Sequence, residues 1–89
     1  MNDYPPHIDL QALTLIAGKL ADRVQQQLQP GQGGEVRLTV SPERVKAYSG
    51  LLAKRLVEVL TERGALVASA RQWTGAEGSG IILIRVDAL

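Results

Sequence analysis

A chain of 89 residues, 45% of them hydrophobic, with no cysteine and a net charge of +1, is sized for one folded domain. These figures exclude intrinsic disorder, a disulfide-stapled fold and any cysteine-ligated metal, haem or iron–sulfur centre. They also exclude a global basic field that would draw nucleic acid to the whole surface.

Residues 1–8 read as a flexible N-terminal arm and residues 9–89 as a single α+β domain. Tyr4-Pro5-Pro6 favours an extended chain. MNDYPPHIDL carries acids and two prolines where a secretory leader needs positive charge and an apolar run, and no apolar run approaches a membrane span. A cytoplasmic protein with no membrane contact is the expectation. Asp9 suits an N-cap for a helix over residues 10–28. Leu10, Leu13, Ala17, Leu20, Val24 and Leu28 share one face, broadened by Leu15 and Ile16. Pro30-Gly31 stops that helix, and Gly33-Gly34 extends the loop.

Residues 35–40 alternate as a half-buried strand, with Val36, Leu38 and Val40 on one side and Glu35, Arg37 and Thr39 on the other. Ser41-Pro42-Glu43 marks a helix start, and Gly64 its end. Between them Val45, Tyr48, Leu52, Leu56 and Val59 form a stripe. Ser49-Gly50 either bends this segment or splits it into two helices, since an interior glycine costs about 1 kcal/mol relative to alanine. Residues 65–73 read as a strand, with Leu66, Ala68 and Ala70 on one face and Val67, Ser69, Arg71 and Trp73 on the other. A glycine-rich tip over residues 74–80 follows, then a β-forming run over residues 81–86 that is apolar on both faces, as in a central strand. The predicted order is α-β-α-β-β around a small three-stranded sheet.

Catalytic chemistry is poorly supplied. His7, the single histidine, falls in the arm, so neither a Ser–His triad nor a histidine metal cluster can be assembled. Glu58 and Glu62 share a helix face beside Lys54 and Arg55, where a solvated charged face with a weak Lys54–Glu58 pair is expected. The two glycine-rich loops lack the strand-then-helix order and the lysine of a phosphate cradle. No enzyme activity, cofactor or metal is expected.

The segment from Leu56 to Val67, LVEVLTERGALV, resembles the end of the recognition helix and the start of the wing in winged helix-turn-helix regulators, and the element order over roughly residues 35–86 is similar. The resemblance implies a small DNA-binding protein, such as a transcriptional regulator. Residues 41–48 would be the second helix, Ser49-Gly50 the turn and residues 51–63 the recognition helix. Lys54 and Arg55 would face double-stranded DNA, Ser49 would bond a phosphate and Arg71 would flank the wing.

A second architecture keeps residues 42–63 as one helix. Strand 35–40, that helix and strand 65–73 then form a β-α-β crossover, with strand 81–86 pairing antiparallel and the helices on one face. The other face, with Arg37, Thr39, Ser69, Arg71, Trp73 and Arg85, is left open. The function implied is a non-catalytic protein–protein interaction or dimerisation module. Self-association, as a dimer, is expected because a short aliphatic chain gains from extra burial. Its candidate interface residues are Leu13, Ile16 and Leu20 of the first helix and Trp73 of the sheet.

Overall fold

Asp9 begins the first helix. Its carboxylate accepts the N–H groups of Gln11 (3.1 Å) and Ala12 (3.2 Å), two donors that the first turn leaves unpaired. The computed structural model describes residues 4–89, so residues 1–3 of the expected arm lie outside the described residues. Helix α1 (Leu10–Gln27) buries Leu13, Ala17, Leu20, Ala21 and Val24, as the three- and four-residue spacing predicts. Strand β1 (Gly34–Val40) buries Val36, Leu38 and Val40 and exposes Glu35, Arg37 and Thr39.

Ser41 caps helix α2 (Pro42–Tyr48), its hydroxyl accepting from the Arg44 N–H at 3.4 Å. This helix is short and buries none of its residues. It stops at Ser49 (φ 54°, ψ −134°) and Gly50 (φ −79°, ψ 0°), which are the angles of the central pair of a type II′ turn. Helix α3 (Leu51–Glu62) follows and buries Leu52, Ala53, Leu56, Val59 and Leu60. The segment over residues 42–63 is therefore two helices, and the continuous-helix alternative is corrected at this turn. Gly64, at φ 94°, turns the chain out of α3 in a conformation that a side chain would strain.

Strands β2 (Leu66–Thr74) and β3 (Gly80–Ala88) form a hairpin across a single 3-10 turn at Ala76–Gly78. The sheet order is β1-β3-β2, with β3 antiparallel to both neighbours. The observed order is thus α-β-α-α-β-β, an α+β fold with a three-stranded sheet. The predicted central strand is central: Ile82, Ile84 and Val86 lie in the core while Ile81 and Leu83 point to the other side.

The chain crosses from β1 to β2 through α2 and α3, and α1 packs beside α3 on the same sheet face. One aliphatic cluster joins the helices to β1 and β3, with Leu13, Leu38, Leu52, Leu56, Leu60, Ile82 and Ile84 fully buried. The molecule measures 36 × 35 × 18 Å, the thickness of two layers. Among the described residues no helix is long and apolar enough to cross a membrane.

One expectation about β2 fails. The register slips between Val67 and Ser69, so Val67 pairs with Val86 on the helix-covered side and Ala68 is left over. Val67, Ala70 and Gln72 are then half-buried, while Leu66 and Ala68, expected inside, are exposed. Beyond the bulge Ser69, Arg71 and Trp73 face outward, as predicted.

Candidate interaction site

Among the described residues none covers the outer face of the sheet. Three cross-strand rows lie there: Glu35–Arg85–Ser69, Arg37–Leu83–Arg71 and Thr39–Ile81–Trp73. Trp73 is 38% exposed. The guanidinium carbons of Arg37 and Arg71 each lie 5.9 Å from its ring centroid, within cation–π range. Arg37 is on β1 and Trp73 on β2, so Arg37 reaches over the intervening β3, where Ile81 and Leu83 are half-buried. Among the described residues, Arg37, Arg71 and Arg85 take part in no ion pair; those present belong to Arg55 and Arg63.

The outward side of α3 is occupied from within. Tyr4, only 9% exposed, packs into the core cluster, so this part of the arm is docked. Its hydroxyl donates to Glu58 Oε1, and Lys54 Nζ lies 4.7 Å from its ring centroid. Arg55 is drawn toward α1. Its Nε donates to Thr14 Oγ1 at 3.0 Å, and its Nη1 meets Glu58 at 3.2 Å and Glu62 at 3.8 Å. Burial, then the hydrogen bond to Glu58 and its negative charge, push the Tyr4 hydroxyl from 10.0 up to about 12. The hydrogen bond from Tyr4, aided by Arg55, holds the Glu58 carboxyl below its ordinary 4.5 against the opposing effect of burial.

The residues expected to face DNA are thus dispersed. Ser49, Lys54 and Arg71 are exposed, but the Arg55 side chain is only 17% exposed and bound to Thr14, Glu58 and Glu62. The ion-pair partner of Glu58 is Arg55 rather than the expected Lys54. Nor does the hairpin project as a free wing. Val40, Gly80 and Thr74 end in one row, only residues 75–79 extend beyond it, and that tip leans on α2. A Cβ on Gly80 would lie 2.5 Å from Val45 Cγ2, which shows how closely α2 approaches the start of β3.

Two of the expected α1 interface residues are also committed elsewhere. Leu13 and Leu20 are 0% and 4% exposed in the chain's own core, and Ile16 is partly buried against it. The face that a dimer was expected to use is the face that packs on the sheet and α3. Leu15, 69% exposed, is the outward apolar residue of α1, beside a shallow hollow of about 460 Å³ lined by Leu10, Gln11, Thr14 and Leu15.

Sequence reasoning did not find Gln72. Gly50 offers α3 no side-chain cap, and Gln72 supplies one from the sheet. Its Oε1 accepts the Ala53 N–H at 3.1 Å while its Nε2 donates to the Ser49 carbonyl at 2.8 Å. The period-2 pattern of β2 put Gln72 on the inward side, which was the available signal. Among the described residues no group of three or more His, Cys, Asp or Glu side chains could hold a metal ion. Comparison with known proteins returned no matching family model, no similar curated protein and no similar solved structure.

Proposed function

We propose that the chain is a non-catalytic docking domain that binds a protein partner through the uncovered face of its sheet. The observation that carries this reading is Trp73 between Arg37 and Arg71, beside Ile81 and Leu83. Trp and Arg are the residue types that concentrate binding energy at interfaces, and an apolar centre with a polar rim is their usual setting. The reading takes the domain to work in the cytoplasm, which cell fractionation checks. The test of docking is a photocrosslinking amino acid placed in cells at position 83 and, separately, at exposed Lys19 of α1. A discrete adduct from position 83 and none from position 19 is expected; the reverse pattern overturns the proposal.

A second reading, a DNA-binding regulator of winged-helix type, draws support from the turn at Ser49-Gly50 and from the strand order β1-β3-β2. Lys54, Arg71 and Ser49 remain its contact residues, and α2 adds exposed Arg44 and Lys46 as further cations. Arg55 is engaged elsewhere, and Glu77 at the tip repels phosphate. Fluorescence anisotropy on random-sequence duplex decides it. Binding that falls steeply with salt and weakens in Lys54→Ala and Arg71→Ala favours DNA. No binding at low salt retires it.

A further inference from the structure

We propose that the occupant of the uncovered sheet face is a second copy of the chain, docked with its strands reversed so that Glu35 of each copy meets the partner's Arg37. This rests on the docking reading above and names its partner. Charge placement along the strands favours this arrangement. The outward carboxylates, Glu35 and Asp87, lie toward one end of the face, with Arg85 beside Glu35 in its row, while Arg37, Arg71 and Trp73 lie in the rows toward the other.

A face-to-face dimer has two simple choices of two-fold axis. An axis along the strands sets β1 over the partner's β2 and brings Arg37 against the partner's Arg71 twice, a like-charge contact that disfavours it. An axis across the strands, between the Glu35 row and the Arg37 row, reverses each strand over its counterpart. It sets Glu35 against the partner's Arg37 twice, and Arg85 over the partner's Leu83. It also carries Trp73 toward the end of the partner's β2 beyond Ser69. Trp73, 38% exposed, is the large apolar side chain on this face that a second copy would cover. The arrangement is isologous and closed, so it ends at two copies. Aligned packing of twisted sheets accommodates it.

Sedimentation velocity on the full chain over a wide concentration range tests this, with circular dichroism melts confirming that each variant folds. A reversible dimer is expected. Leu83→Glu, at an outward position where the new charge reaches water in the monomer, should weaken it about tenfold or more. Glu35→Arg alone and Arg37→Glu alone should each weaken it, and the double variant should recover it, because the swapped charges meet again across the axis. Weakening by both single variants without recovery overturns the reversed arrangement. A chain monomeric at every concentration overturns self-docking; an adduct from position 83 to a different protein then leaves the docking reading standing with another partner. A dimer indifferent to Leu83→Glu overturns self-docking at this face, and with no adduct at position 83 the docking reading fails too.

Discussion

Ser49 holds a backbone conformation that a Cβ makes costly, with φ 54° and ψ −134° at the first central position of a II′ turn. Its carbonyl is used by Gln72, but a glycine supplies the same carbonyl. Ser49→Gly is therefore expected to stabilise the fold by about 1 kcal/mol, read as a higher urea midpoint with an unchanged slope. A drop in stability would mean that the hydroxyl makes a contact outweighing the strain. Tyr4 and Glu58 give the fold a dependence on pH at both ends. The folded state raises the Tyr4 hydroxyl from 10.0 to about 12, so its contribution is complete below pH 10 and is lost as pH rises toward about 12. Glu58 is depressed below 4.5, so its contribution is present above that value and is lost as pH falls through the lower folded value. Tyr4→Phe keeps a ring beneath Lys54 and removes the hydroxyl. Urea unfolding across the pH range should then show the alkaline loss abolished and the acid limb flattened. An unchanged acid limb would assign the Glu58 effect to Arg55 rather than to Tyr4.

Helix α3 is held at its start by a residue from another element. Gln72→Ala leaves the part-buried Ala53 N–H and the exposed Ser49 carbonyl without their partner; water replaces the second, and loss of the first costs about 1 kcal/mol. Gln72→Glu keeps an acceptor for Ala53 but loses the donor to Ser49, so chemical denaturation should place it between the wild type and the alanine variant. Helix starts and strand alternation were legible in the sequence because their causes are local. Asp9, Ser41-Pro42 and the alternation of β1 act within a few residues, and the outward set of Arg37, Thr39, Arg71 and Trp73 follows from period 2 alone. What was not legible depends on pairing across the chain. The face of Val67 is decided by a bulge against β3, and the inward turn of Arg55 is decided by Thr14, 41 residues away. The apolar stripe of α1 was visible, but a stripe does not say whether it covers its own sheet or a neighbour's. Leu13 and Leu20 cover their own. At Ser49-Gly50 the sequence marked the break, and the Gln72 hydrogen bonds that accompany the turn come from another element.

The described residues bury one face of the sheet and leave the other open, in a body only 18 Å thick. Among the described residues the buried core is aliphatic apart from Tyr4, and the chain's sole tryptophan lies on the open face. A chain this small gains little from its own core alone, so covering the second face should appear in the thermodynamics of folding as well as in solution mass. If two copies close over that face, unfolding also separates them, and the thermal midpoint depends on concentration. Each tenfold increase in protein should raise the midpoint by about 3–6 °C, the shift expected when association adds about 1.4 kcal/mol to an assembly of this size. Leu83→Glu should abolish the slope while leaving the midpoint at high dilution unchanged, because its side chain lies outside the monomer's core. A wild-type midpoint independent of concentration would place all of the stability in the single chain, and the open face would then be reserved for a different protein. A variant that lost stability equally at every concentration would instead show that Leu83 supports the fold itself, since only a contact between copies can vary with their number.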